Sequence, residues 1–370
     1  MNAVHARVPT RGRANHPSWH TGDGRVHLVV PGDIDDLARC SGGNAYDRRL
    51  ARGLAAGGRP VHERAVAGSW PHPSPAERAT LAATLAALPD GAVVLVDGLV
   101  ACGVPEVVGP VARRLTLVVL VHLPLGDEAG AAPELVARER ETLRAAAAVV
   151  ATSPWTARRL ADLHGLDPDR ITVAAPGVDP APLAPGTDGA SHLLCVGSIT
   201  PTKGQDLLVE ALAGLPVTCD LVGPVQRDPV HVAAVRAAIA RHGLAARVRL
   251  TGPKTGDALD AAYAAADLLV VPSRAETYGM VVTEALARGI PVLAADAGGL
   301  PETLGHDPDG HVPGLLVPVG DISALRAALL RWMDEPLLRN GLRQSARARR
   351  GMLLGWEVTS RCVVEALGQP

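Results

Sequence analysis

Phenylalanine is missing from this chain altogether, and aromatic side chains make up only 2% of its 370 residues. A core without large rings must be filled by smaller aliphatic groups. Ala, Val and Leu therefore carry the burial that a 47% hydrophobic content makes available. Lysine is nearly missing too, since Lys203 and Lys254 stand against 34 arginines. Heavy Ala and Arg usage reflects genome composition rather than function, which makes each surviving lysine more informative. Strong charge of either sign is absent, with a formal net charge of −2. That points away from nucleic-acid binding and gives no attraction to anionic lipid. No apolar run reaches the ~18 residues of a membrane span, and residues 1–24 lack the apolar stretch of a signal peptide. Those 24 residues are expected to form a flexible polar arm. The five cysteines, at 40, 102, 195, 219 and 362, have no metal-like spacing and read as reduced thiols of a cytoplasmic protein.

What is present is alternation. The chain is too long for one ordinary core and suggests two domains. Short apolar runs, RVHLVVPG, AVVLVDG, LTLVVLVH, AAVVATS and ITVAAPG, alternate with amphipathic stretches such as AYDRRLARGLAAGG, PAERATLAATLAAL and PELVARERETLRAA. The pattern restarts after a Pro/Gly/Ala-rich linker at 176–192 with HLLCVGS, VTCDLVGP, RVRLTGP, DLLVVPS, IPVLAAD and GLLVPVG. Strand–helix alternation of this kind predicts α/β architecture, with parallel sheets covered on both faces. The expected organisation is two Rossmann-like, doubly wound domains, 25–180 and 181–350, facing across a cleft. A closing helix in 351–370 is expected to pack back toward the first domain. Ligands of such sheets sit outside the carboxyl ends of the strands.

The chemistry-bearing residues cluster at those ends. PSRAETYGMVVTEALARGIPVLAADAGG, residues 272–299, places Glu276 and Glu284 around a tyrosine and a glycine. On one helix, eight residues would turn the second glutamate about 80° from the first and about 12 Å along the axis, so they would not pair. Glu276 is better placed in a loop and Glu284 in the helix it feeds, gripping two parts of one long ligand. The amides of Tyr278, Gly279, Met280 and Val281 would then form a helix N-terminus suited to phosphate. Dipole complementation and a solvated loop would explain the same glutamates without a ligand. Lys203, in VGSITPTKGQDLL, follows the second domain's first strand and can reach a diphosphate as a mobile point charge.

In the first domain, Gly42 and Gly43 precede a helix and allow close backbone approach to a ligand. Asp33 and Asp35 form a DxD pattern, although capping or chance explains it better in so acidic a loop. His122 ends LTLVVLVH, where a neutral imidazole could hydrogen-bond a sugar hydroxyl or shuttle a proton. Asp97 closes AVVLVD in the equivalent place. GHDPDGH at 305–311 reads as a turn rather than a metal site, and Ser153 reads as a helix N-cap.

Together these landmarks resemble the retaining, nucleotide-sugar-dependent glycosyltransferases of the GT-B fold, family 4, from about residue 25 to the end. The most specific part is the pair of glutamates with seven residues between them, followed by GGLPE; VGSITPTKG, APGVD and SGGNAYDRRLARGL are similar to other landmarks of the family. The resemblance implies that Glu276 binds the donor sugar, Glu284 the nucleotide ribose and Lys203 the diphosphate. Amides of Gly279, Met280 and the Gly42–Gly43 loop would assist, and His122 would lie beside the transferred sugar. Catalysis would fall to Glu276, His122 and Lys203; Ser198, Tyr278 and Val281 would complete the donor site. It also implies a UDP- or GDP-sugar donor, retention by front-face attack, and no metal or other cofactor. The acceptor is unspecified, and peripheral membrane contact stays open. Ser198 stands where many relatives carry a second cationic arginine. Exchanging a charged hydrogen bond of ~1.5–3 kcal/mol for a neutral one of about 1 would cost roughly tenfold to thirtyfold in affinity. Tyr278 replaces a common phenylalanine, a mild change. A nucleotide-sugar epimerase and a non-catalytic nucleotide-sugar-binding protein are the alternatives.

Overall fold

The computed structural model describes residues 24–36, 38, 41–127 and 132–368; residues 1–23 of the expected arm and Cys40 lie outside them. Valine- and leucine-rich runs form the strands of a first parallel sheet: β1 (Val26–Pro31), β2 (Val61–Val66), β3 (Val93–Asp97), β4 (Thr116–Val121), β5 (Ala148–Ala151) and β6 (Ile171–Val173). Its order is β2-β1-β3-β4-β5-β6. Every residue of β1 and β4 is buried, as expected for strands covered on both faces. β2, VHERAV, is an edge strand with a largely exposed polar run, and periodicity alone did not single it out. A second parallel sheet, in the order β12-β11-β10-β7-β8-β9, follows. Its strands are β7 (His192–Val196), β8 (Thr218–Val222), β9 (Val248–Gly252), β10 (Leu268–Val271), β11 (Val292–Ala295) and β12 (Gly314–Val317).

The helices of the first half are α1 (Gly42–Ala56), α2 (Pro75–Ala86), α3 (Gly98–Ala101), α4 (Pro105–Val111), α5 (Pro133–Ala145) and α6 (Pro154–His164). Ser153 caps α6 as its position suggested, its Oγ accepting from Thr156 N at 2.9 Å. In the second half come α7 (Gln205–Ala211), α8 (Pro229–Arg241), α9 (Gly256–Ala265), α10 (Met280–Ala287), α11 (Leu300–Leu304), α12 (Ile322–Asp334), α13 (Pro336–Arg349) and α14 (Trp356–Ala366). In each sheet the strand order reverses direction once, between β1 and β3 and between β7 and β10. Open α/β sheets bind ligands outside such reversal points.

Two chain segments join the halves, and they run side by side. The amide of Val178 donates to Leu354 O at 3.0 Å, and Thr359 Oγ1 donates to Ala175 O at 2.7 Å. Beyond this crossing, α14 lies on α1 so closely that a Cβ on Gly53 would stand 2.0 Å from Ser360 Oγ. Buried Asp267 ties the end of the linker to the second half, its carboxylate accepting from the amides of Thr187, Gly189 and His192. Tyr46, one of the scarce aromatics, sits at such a seam. The Tyr46 hydroxyl donates to Ala174 O at 2.9 Å, and its ring meets Trp356 edge-on.

Candidate functional site

The loops leaving β7 and β10, which flank the reversal in the second sheet, bring Lys203 and Glu276 together. Lys203 ends a 3-10 turn after β7, and its Nζ lies 2.5 Å from Glu276 Oε2. Arg274 binds the two loops to each other, donating from NH1 and NH2 to the Asp206 carboxylate at 2.9 and 2.6 Å and from its amide to Thr202 O. The GGLPE turn braces the Glu276 loop from behind. Gly299 N donates to Glu276 O at 2.8 Å, and a Cβ on Gly298 or Gly299 would fall 2.0–2.1 Å from the carbonyl oxygens of Glu276 and Thr277. Only glycine permits that approach. α10 then begins at Met280 after Gly279, which has φ 84° and supplies no side-chain cap. Its first amides are left for another acceptor.

The first half meets this loop at α1. A Cβ on Gly42 would lie 3.7 Å from Met280 Sδ, and one on Gly43 would lie 3.2 Å from His122 Cδ2. Met280 itself packs on the core around Tyr46 and Leu50. Gly42, Gly43, His122 and Met280 therefore share one seam. Glu284 lies one turn into α10 and accepts from the Tyr263 hydroxyl at 2.6 Å; Arg288 stacks over that ring at 4.6 Å. Burial raises the Glu284 pKa, and the tyrosine and Arg288 oppose the rise. Val281, beside it, is half-buried, and Ser198 is buried in the loop after β7. That loop is fixed by Gln205 Nε2, which donates to Ser198 O at 3.0 Å.

The Tyr278 hydroxyl reaches the linker, donating to Pro176 O at 3.1 Å. The exchange from phenylalanine thus has a structural use. Tyr278 also lines a cavity of about 360 Å³ behind the crossing with Arg349 and Cys362, a cavity that Lys203 and Glu276 do not line.

His122 stands against an acidic side chain. Its Nε2 lies 2.9 Å from Asp47 Oδ1. Burial pulls its pKa down, but Asp47 and then Asp97 outweigh that and hold it at about 9. The two carboxylates favour the protonated ring, whereas position alone suggested a neutral imidazole. Asp97 is raised to about 7, by burial first and by Asp47 second. Asp47 was missed in the sequence, although it lies one helical turn after Gly43 and so on the same face of α1. Asp35 of the DxD pattern pairs with Arg48 at 2.5 Å, its own side chain 77% exposed. The 305–311 segment is a turn, in which Asp307 Oδ1 accepts from the amides of Asp309 and His311.

Two parallel doubly wound sheets, with glycine loops, a lysine and acidic side chains gathered at their reversal points, define the GT-B class of fold. The chain belongs to glycosyltransferase family 4: the family models described as Glycosyltransferase Family 4 and Glycosyl transferases group 1 match residues 25–182 and 187–349. It is 33% identical over 258 residues to a D-inositol 3-phosphate glycosyltransferase of Jonesia denitrificans, a match spanning 62% of this chain and 59% of that protein. The protein of the same description from Thermomonospora curvata is 34% identical over 68% of this chain and 66% of its own length. The chain thus spans about three-fifths of the length of the curated relatives it matches. Among solved structures, it is similar to sucrose-phosphate synthase from Thermosynechococcus elongatus, with a TM-score of 0.76, 22% identity and coverage of 92% of this chain and 97% of that one. Anabaena HepE in complex with UDP and glucose gives a TM-score of 0.74 at 20% identity, over 93% and 99% of the two chains. These likenesses establish the fold.

Proposed function

We propose that the protein is a retaining glycosyltransferase that moves a sugar from a nucleoside-diphosphate donor, UDP- or GDP-linked, to a hydroxyl acceptor without a metal cofactor. The observation that carries this reading is the Lys203–Glu276 contact at the reversal point of the second sheet. Without ligand, the two charges neutralise each other. An incoming diphosphate competes for Lys203, which frees the Glu276 carboxylate to accept hydrogen bonds from sugar hydroxyls. The uncapped start of α10 supplies further donors to the phosphates, and Glu284 lies where a ribose diol would follow. During transfer the acceptor oxygen bonds the anomeric carbon from the face that the phosphate leaves. The anomeric C–O bond to the diphosphate breaks, and the acceptor proton passes to the departing phosphate oxygen. The bound UDP of the HepE structure supports a uridine donor, while the acceptor is defined only as a hydroxyl compound. Unpaired Cys102, Cys195, Cys219 and Cys362 support a reducing, cytoplasmic setting. Membership of family 4 supports transfer over the epimerase and binding-only alternatives.

Glu276→Ala should lower turnover at least a hundredfold while the melting temperature holds. Undiminished turnover in that variant would defeat the assignment. The donor is found by thermal shift with UDP-, GDP-, ADP- and TDP-sugars, since a ligand at 100 times its Kd adds ~2.7 kcal/mol of stability.

A further inference from the structure

His122 is held far more tightly than burial alone requires. Asp47, 1% exposed, reaches it from α1 with Oδ1 2.9 Å from Nε2. Asp97, 6% exposed, stands at the end of β3, where its Oδ1 accepts from Leu99 N at 2.8 Å. One ligand atom from each of the three lies within 4.8 Å of the others. From α1 the Tyr46 ring also faces the imidazole edge-on at 5.1 Å. From the loop after β5, the uncharged Thr152 hydroxyl donates to the His122 carbonyl at 3.4 Å. Asp47 Oδ2 is buried and takes no hydrogen bond from a permanent donor, the neighbouring Asp97 carboxyl being able to share a proton with Asp47; of the His122 ring nitrogens, Nε2 is the one with a partner among the described residues. Two buried carboxyl groups side by side are costly to ionise together unless a positive charge stands with them.

We propose that Asp47 and Asp97 are positioning residues that fix His122 as an imidazolium, so that the seam offers its Nδ1–H as a cationic hydrogen-bond donor to a substrate oxygen. The assignment rests on the glycosyltransferase reading only for what the donor serves. Nε2–H is committed to Asp47, so Nδ1–H is the proton left to give. His122 then supplies, from the opposite half, part of the positive charge that Ser198 does not. A ring in this state binds and orients; it does not accept the acceptor's proton. The His122 pKa of about 9 accords with this arrangement.

The test begins with the wild-type protein and needs no activity. In ¹⁵N-imidazole NMR, with His122 identified by its loss in His122→Gln, the ring should stay doubly protonated from pH 6 to 8 and titrate near 9. A singly protonated ring at pH 7 overturns the proposal. In Asp47→Asn the same signal should titrate about two pH units lower, and in Asp97→Asn by less. A signal that does not move in Asp47→Asn overturns it as well. Adding Mn²⁺ or Zn²⁺ alone distinguishes a proton from a metal. Micromolar binding that perturbs the His122 signal would make these three residues ligands instead. In transfer assays Asp47→Asn should lower kcat more than it raises donor KM and pull the alkaline limb of the rate profile from about pH 9 toward 7. An unchanged profile overturns the role. If the wild-type protein transfers nothing, the glycosyltransferase reading fails while the NMR result still decides the charge.

Discussion

Lys203 shows how far one residue can be argued. Its rarity and its place after β7 were legible in the sequence, because a cation at a strand's carboxyl end has few structural reasons to be there. Its neutralisation by Glu276, 73 positions away, was not, since that contact depends on β7 and β10 being neighbours. The pair is partly exposed, with Lys203 at 32% and Glu276 at 12%, so it contributes little to folding. Lys203→Ala should therefore leave the melting temperature within a degree or two. It should weaken donor binding by roughly tenfold to a hundredfold, the value of one charged hydrogen bond. Calorimetric titration with the nucleotide diphosphate checks this, and equal affinity in both proteins would remove Lys203 from the site. Asp47 is the opposite case. Nothing marks it among the charges of AYDRRL until the helix is laid beside β4 and the His122 ring comes within reach.

Elements were more legible than contacts. Continuous apolar runs announce strands buried on both faces, and every run singled out in the second half became one. β2 escaped because an edge strand exposes its side chains and needs no such run. The short α3 and α4 escaped for want of enough turns to establish a period. Gly53 is instructive here. In the middle of α1 it should be a defect worth about 1 kcal/mol relative to alanine. Its lost side chain is instead the space into which Ser360 of α14 fits, with Cβ-to-Oγ separation 2.0 Å and Cβ-to-Cβ separation 3.2 Å if alanine were present. Gly53→Ala should therefore destabilise by about 1–3 kcal/mol, overpacking outweighing helix propensity. Adding Ser360→Ala should return most of that loss. Chemical denaturation of the single and double variants decides it, and a stabilising Gly53→Ala would refute the tight fit.

For the molecule as a whole, the buried charges of the first half set an alkaline limit. His122 is raised to about 9 in the fold, so its stabilising contribution is fully present below the ordinary histidine value near 6.5. It is lost as pH rises through 9. Asp97 is likewise raised, to about 7, and its contribution fades as pH climbs from about 4 through 7. Both signs agree, so the melting temperature should fall steadily between pH 6.5 and 9.5, and the fall should be shallower in His122→Gln. A flat profile across that range would contradict the buried charge set.

The Tyr278 hydroxyl on Pro176 O gives the molecule one more property. Tyr278 stands two residues after Glu276 in the loop leaving β10, while Pro176 opens the linker between the two halves. One hydrogen bond thus fastens the acidic loop of the second half to the strand of chain that joins the halves, so that removing the Tyr278 hydroxyl would loosen both attachments at once.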